Sequence, residues 1–194
     1  MNTYLSSSII FHNDKITTKL QETFGDMEIP VMMDWEDSLM SASAAYVTQN
    51  GGDILEIGFG MGISAGYMHS HSINSHTIVE NHPDIIPKAV EWASSKSNVT
   101  IISQSWYDVK DSLGTFDGVF YDTFEDENYK DFSSSLSTWT KSGTKVTFWN
   151  DDNGESNNHQ IQTSYQQINI TPPNSASVYF RSGETIYYMP MKEF

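Results

Sequence analysis

One stretch constrains this chain more than any other: an apolar run that ends in an acid and then alternating glycines, Asp53-Ile54-Leu55-Glu56-Ile57-Gly58-Phe59-Gly60-Met61-Gly62. Ile54, Leu55 and Ile57 suit a buried strand, while the glycines permit positive φ and let backbone N–H groups approach a ligand closely. The pattern predicts a strand turning sharply into a ligand-cradling loop, with Ile63 to Met68 starting the next helix. A tight strand-to-helix turn without a ligand has the same local signature. About twenty residues downstream, where nucleotide-binding folds place a carboxylate on ribose hydroxyls, Thr77-Ile78-Val79-Glu80 is a short β-branched run ending in an acid. A strand, helix, strand unit around a nucleoside cofactor is implied.

NAD and S-adenosylmethionine both fit that frame, and Gly60-x-Gly62-x-x-Ala65 reads as a loose dinucleotide fingerprint. Glu56 discriminates between them. An acid two residues before the first glycine is unhelpful beside a pyrophosphate, whereas a cofactor carrying an ammonium and a sulfonium tolerates or welcomes it, which puts Glu56 among the expected cofactor-binding residues. S-adenosylmethionine is the better reading.

The rest of the chain alternates helical and strand patterns. Asp14 to Phe24 is expected as a short helix, and Asp34 to Val47 has helical spacing in Trp35, Leu39, Ala42 and Tyr46, stopped by Asn50-Gly51-Gly52. Pro87 to Ser95 reads as a helix, Val99 to Ile102 and Phe116 to Asp122 as strands, and Tyr129 to Thr140 as a helix stopped by Lys141-Ser142-Gly143. Lys145 to Trp149 reads as a further strand and residues 150–164 as a polar loop. The tail holds β-branched and aromatic runs at Ile168 to Ile170, Ser177 to Phe180 and Thr185 to Met189. Ser182-Gly183 between the last two suggests an antiparallel hairpin. The fold class is therefore α/β, a mostly parallel sheet with an antiparallel C-terminal edge.

The 194 residues suit a single domain, divided into an N-terminal segment 1–50, an α/β core 51–150 and C-terminal strands 151–194. A formal charge of −15, with ten Lys+Arg, argues against nucleic acid, because phosphate-backbone binding depends on clustered cations. The absence of cysteine excludes disulfides, zinc–thiolate sites and a thiol nucleophile. Residues 1–13 lack an export pattern and no run approaches the length of a transmembrane helix, so a soluble cytoplasmic protein without a membrane partner is expected. His69, His71, His76 and His82 crowd one region, but no acid or thiol completes a ligand spacing, and no metal is expected.

Glu56-Ile57-Gly58-Phe59-Gly60-Met61, Phe116-Asp117-Gly118-Val119-Phe120-Tyr121-Asp122-Thr123 and, upstream, Val31-Met32-Met33-Asp34-Trp35-Glu36 together resemble guanidinoacetate N-methyltransferase. The related arginine-methylating enzymes share parts of these motifs. The resemblance covers about residues 28 to 150 and implies a single-domain Rossmann-like class I methyltransferase with a seven-stranded sheet. It further implies that Gly58 to Met61, with Gly62, hold the methionine part of S-adenosylmethionine and that Glu80 binds its ribose hydroxyls. By the same resemblance Asn81 and His82 flank ribose or adenine, Ser105 and Trp106 form the adenine-binding turn, and Met32, Met40 and Phe11 lie near the cofactor. Met32 and Met40 read equally as core methionines.

The catalytic expectation rests on Glu36 and Asp122. Two carboxylates can grip the planar N–H fork of a guanidinium from two sides and hold one nitrogen in line with the methyl group. A guanidinium keeps its proton near neutral pH, so one carboxylate must also draw a proton away as general base. That role falls to Asp122, with Glu36 orienting the other nitrogens and Trp35 and Tyr121 walling the pocket. Each acid also has a bland reading, as a helix-surface acid and a strand-end cap. Where the family follows its fifth strand with a Leu-Thr segment holding the substrate carboxylate, this chain has Asn150-Asp151-Asp152, and Phe124 stands in place of a tyrosine. Two acids there would repel a carboxylate. The expectation is N-methyl transfer to a small cationic guanidino or amino compound, with Thr123 and Asn150 to Asp152 near the acceptor. A homodimer is admissible. The alternatives are a non-catalytic cofactor-binding module of the same fold and an NAD-dependent oxidoreductase.

Overall fold

The computed structural model describes residues 3–20, 25–152, 154–178, 180 and 183–194. In chain order the elements are α1 (Thr3–Ser6), β1 (Ile10–Phe11), β2 (Lys15–Thr18), β3 (Ile29–Met33), α2 (Asp37–Val47), β4 (Asp53–Ile57), α3 (Ile63–Ser70) and β5 (Ser75–Val79). They continue with α4 (Ile86–Ala93), β6 (Val99–Ile102), α5 (Trp106–Val109), β7 (Phe116–Tyr121), α6 (Phe132–Trp139), β8 (Thr140–Phe148), β9 (Ser164–Asn169) and β10 (Ile186–Glu193). The main sheet runs β6-β5-β4-β7-β8-β10-β9. Its first five strands are parallel, and β10 is antiparallel to both β8 and β9. This is the seven-stranded, mostly parallel sheet with an antiparallel edge that the sequence implies.

Successive strand residues face opposite sides of a sheet, and the central strands serve two cores in this way. Ile54, Ile78 and Phe120 pack on one face with Leu39, Ala44 and Val47 of α2 and Met68 of α3. Leu55, Ile57, Val79, Val119 and Tyr121 pack on the other with Phe132, Leu136 and Trp139 of α6. Burial on both faces is why these strands read as continuous apolar runs. Among the described residues no helix is long and apolar enough to cross a membrane.

Three expectations are corrected. Lys15–Thr18, inside the expected Asp14 to Phe24 helix, is a strand in a small antiparallel sheet β1-β2-β3, and residues 21–24 lie outside the described residues. Ile16, Thr17 and Thr18 are β-branched and buried, which suits a pleated surface better than a helix. Lys141-Ser142-Gly143, read as a helix stop, lies within β8: Gly143 takes φ 87 and donates its N–H to Phe194 O, so the chain stays paired with its C-terminal strand. The C-terminal partner of β10 is β9, not Ser177 to Phe180. Asn174–Val178 is a 3-10 turn following Pro172-Pro173, which remove two backbone donors from any ladder. Ser182 lies outside the described residues.

The approach of α2 to the sheet depends on Gly118 of β7. A Cβ there would strike the carbonyl oxygen of Val47 and reach Ile54 Cδ1 at 2.9 Å. Gly118→Ala is expected to lower unfolding free energy by about 1–3 kcal/mol, whereas Gly66→Ala, in α3 with open space around it, should be neutral or stabilising by up to about 1 kcal/mol. Urea denaturation of the two variants checks this; equal stabilities would contradict the packing.

Candidate active site

Four residues one step beyond the parallel strands are held by the last rung of the ladder. Gly58 N–H donates to Val79 O at 2.9 Å, Glu80 to Ile102 O at 3.0 Å, Asp122 to Ile57 O at 2.9 Å and Trp149 to Tyr121 O at 2.9 Å. The sheet therefore fixes them at its carboxyl edge, where open α/β sheets bind ligands. A cavity of about 630 Å³ opens there, lined by all four. Gly58 sits at φ 92, and a Cβ on it would collide with the backbone oxygen of Asp122. Only glycine lets the ends of β4 and β7 come this close.

On one wall the glycine loop lies against Met32, whose Sδ accepts from Met61 N–H at 3.3 Å and would meet a Cβ on Gly60 at 2.7 Å. Glu80 Oε2 accepts from Phe59 N–H at 2.9 Å, and Oε1 from the N–H groups of Asn81 and His82, both at 2.8 Å. A carboxylate offers about four lone-pair sites, so Oε2 retains capacity for a hydroxyl donor from the cavity. Asn81, Gln104, Ser105 and Trp106 continue this wall. Ser105 Oγ accepts from Tyr107 N–H at 3.3 Å and so caps α5. These features fit an adenosyl cofactor: a glycine cradle, a carboxylate fixed by three backbone N–H groups on the neighbouring strand end, and an indole in the lining of one cavity.

Tyr4 and Leu5 of α1 line the same cavity. His82 is fully buried, its Nδ1 accepting from Asp84 N–H at 3.2 Å, which assigns the proton to Nε2 and a donated bond to Tyr4 O at 3.1 Å. Ile9 N–H donates to Asp84 Oδ2 at 2.9 Å, so the N-terminal segment is tied to the loop after β5.

The other wall carries the two expected catalytic acids. Glu36 ends a 3-10 turn, is buried, and accepts from Met33 N–H at 2.8 Å through Oε1. Asp122 is half-buried at the cavity surface, and its pKa is pushed up to about 7, first by withdrawal from solvent, then by the charges of Asp151 and Glu56. Asp151 stands exposed at the mouth. The buried phenol of Tyr187 accepts from Asn150 N–H at 2.7 Å and has its pKa raised, by burial first and also by Asp122, Asp151 and Glu36. Asp126 is differently engaged: Tyr121 Oη donates to it at 2.5 Å, Trp106 Nε1 at 2.6 Å and Asn128 N–H at 2.8 Å.

Of the residues expected at the site, Met32, Glu36, Gly58, Phe59, Gly60, Glu80, Asn81, Ser105, Trp106, Tyr121, Asp122, Thr123 and Asp151 line the cavity. Others lie outside its lining. Met40 is core, and Phe11 is exposed on β1 with Lys88 Nζ 5.7 Å from its ring. Met61 and Gly62 lead into α3, and Trp35 packs on Phe180 at 5.3 Å. His82 and Asn150 are buried supports, and Asp152 accepts from Ser156. Glu56 lies fully buried beneath the loop, its Oε1 accepting from Ser64 Oγ and its Oε2 2.9 Å from His76 Nε2. Among the described residues no His, Cys, Asp or Glu group could hold a metal ion. Sequence reasoning missed Tyr4, Leu5, Asp126, Tyr129, Trp149 and His159, which reach the cavity from distant segments. Only Trp149, the last residue of a predicted strand, carried a local signal.

The family model described as Guanidinoacetate N-methyltransferase matches residues 11–148. The protein arginine N-methyltransferase 2 of Aspergillus fumigatus is 37% identical over 141 residues, covering 69% of this chain and 31% of that protein. The chain spans about a third of the length of the curated relatives it matches. Spermidine synthase from Thermotoga maritima has a TM-score of 0.65 at 11% identity, covering 96% of this chain and 68% of its own. The N-methyltransferase NodS from Bradyrhizobium japonicum, in complex with S-adenosyl-L-homocysteine, has a TM-score of 0.59 at 12% identity, covering 81% of this chain and 87% of its own. Both structural likenesses are of fold.

The raised pKa of Asp122 has a measurable consequence for the ligand-free protein. The folded state binds this proton more tightly than the unfolded chain, whose Asp titrates near 3.9. The contribution of this group to stability is therefore fully present below about pH 4 and is lost as pH rises through about 7. Asp122→Asn removes that linkage, so its gain in melting temperature over wild type should grow from about pH 4 to 7 and level off above. A difference independent of pH would contradict the buried charge.

Proposed function

The chain belongs to the guanidinoacetate N-methyltransferase family, and on that premise we propose that it transfers a methyl group from S-adenosylmethionine to a nitrogen of a guanidino or amino compound. The observation that carries this reading is the placement of Glu36 and Asp122 in the same cavity as the glycine loop and Glu80. When bound, S-adenosylmethionine supplies an electrophilic methyl group whose C–S bond breaks, with the electron pair kept by sulfur, as the new C–N bond forms.

The protein's own residues do the rest. Gly58 and Gly60 leave room for the methionine part, Glu80 takes a ribose hydroxyl, and Ser105 and Trp106 border the base. Tyr4 and Leu5 close over this end. Glu36, fixed by its bond from Met33, grips one side of the acceptor's N–H fork. Asp122 takes the other and receives the proton that the attacking nitrogen gives up. With a pKa near 7, Asp122 is partly protonated in the empty cavity at neutral pH, and an arriving cation favours its ionised form. It is then both a ligand for the acceptor and a base.

The arginine-methylating relatives support a guanidino nitrogen as the acceptor atom. The family-model match, residues 11–148, spans the glycine loop and both acids.

Calorimetry with S-adenosylhomocysteine and a tritiated methyl-transfer assay test the proposal. Asp122→Asn should lower kcat by about 10²-fold or more while leaving S-adenosylhomocysteine affinity within a few-fold. Glu80→Ala should weaken that affinity by about 10- to 100-fold, the size of a lost charged hydrogen bond. Because ionised Asp122 is the active form, kcat/KM should rise with pH and level off above about 7. Full turnover by Asp122→Asn would sink the mechanism.

A further inference from the structure

One carboxylate joins two parts of the cavity that serve different ligands. Asp126 lies on the loop that leaves β7 and lines the cavity beyond Asp122. Its Oδ2 accepts from Tyr121 Oη at 2.5 Å and from Trp106 Nε1 at 2.6 Å, and its Oδ1 from Asn128 N–H at 2.8 Å. Tyr121 belongs to β7, Trp106 opens α5 on the wall that holds Ser105, and Asn128 belongs to the loop itself. Three segments thus converge on one side chain.

Both ring donors are buried, and their rings meet edge to face at 5.7 Å. A buried donor left without an acceptor is costly, so each N–H or O–H holds the carboxylate to its place. The loop is held with it. Glu125 takes φ 50, in the left-handed region that favours glycine. A residue keeps such a conformation where the chain on both sides determines it. The bond from Asp122 N–H to Ile57 O at 2.9 Å fixes one side, and Asp126 fixes the other. Thr123, Phe124 and Glu125 line the cavity between these two points. Serving two buried donors would be task enough for a carboxylate in a core, but here the indole stands on the base side of the cavity and the loop on the acceptor side.

Resting on the methyltransferase reading, we propose that Asp126 is a positioning residue that clasps the loop after β7 to the indole of Trp106, so that filling the base side of the cavity fixes residues 123–128 for the acceptor. Asp126 exchanges no proton and forms no covalent bond in the reaction. It acts through Trp106 and through the backbone that leads back to Asp122.

Calorimetry with S-adenosylhomocysteine and amide hydrogen exchange, both on the full chain, test this. Asp126→Leu should weaken S-adenosylhomocysteine by about 10-fold, whereas Asp126→Asn, which keeps one oxygen for the two ring donors, should stay within about three-fold of wild type. In a Trp106→Phe background, which keeps a ring without an N–H, Asp126→Leu should cost less than about three-fold further, because the donor it served is already gone. Losses that simply multiply in the double variant overturn the proposal, since a general loss of stability would combine in that way. In the wild type, saturating S-adenosylhomocysteine should slow exchange by about 10-fold or more across residues 123–128 as well as across the glycine loop. In Asp126→Leu at saturating ligand, protection of the glycine loop should persist while that of residues 123–128 disappears. Protection of both segments in that variant overturns the clasp. The wild-type measurement needs no variant to fold: S-adenosylhomocysteine binding that leaves exchange at residues 123–128 unchanged also overturns it, with the cofactor site left standing. Failure of S-adenosylhomocysteine to bind folded wild type removes the methyltransferase reading beneath it.

Discussion

The contact between Gly58 and the backbone oxygen of Asp122 is the constraint on which the site depends. Neighbouring parallel strands lie about 4.8 Å apart, and the chain leaving β4 can turn this close to the backbone after β7 only where it carries no side chain pointing at it. Gly58 meets that condition at φ 92. The donated bond from Asp122 N–H to Ile57 O then continues the β4–β7 ladder one rung past its strands. Glu80 and Trp149 are set by the same device on neighbouring strands. Groups fixed this way need no loop ordering before they meet a ligand, which is the physical content of preorganisation.

Beneath the loop, Glu56 is inaccessible to solvent and two residues from Gly58. Its Oε1 accepts from Ser64 Oγ, and its Oε2 lies 2.9 Å from His76 Nε2 without a hydrogen bond between them. The sequence suggested a direct role for Glu56 beside the cofactor. The structure puts it on the opposite side of the strand from Leu55 and Ile57, outside the cavity lining. Its field still reaches the site, since its charge is one cause of the raised pKa of Asp122. His76 belongs to the same buried arrangement, which accounts for one of the crowded histidines without a metal, and His82 accounts for another by holding Tyr4.

What the sequence showed well was the part built from local signals. Strand runs of β-branched and apolar residues, bounded by glycine or acid, located β4 to β7 and with them Gly58, Glu80 and Asp122. Two kinds of feature escaped. Short segments such as Lys15–Thr18 and Asn174–Val178 take their form from tertiary partners, β3 in both cases, and periodicity over four or five residues cannot separate strand from turn. Residues that reach the cavity from afar also escaped. Tyr4 is 78 positions from His82, and Asp126 is 20 from Trp106. No spacing rule connects such pairs; the fold does.

The charge of the site follows from how its carboxylates are supported. Glu80 is surrounded by donors, three backbone N–H groups that fill most of its accepting capacity. Asp122 has opposite surroundings: like charges in Asp151 and Glu56, and limited solvent. Donor-rich Glu80 suits permanent recognition of neutral hydroxyls, which bring no charge of their own. Donor-poor Asp122 suits a partner that supplies positive charge, because only such a partner relieves the repulsion. The asymmetry divides the cavity into an end that is electrostatically complete before binding and an end that the ligand completes. General-base chemistry belongs at the second, where a proton is easily accepted because the carboxylate was never fully stabilised without one.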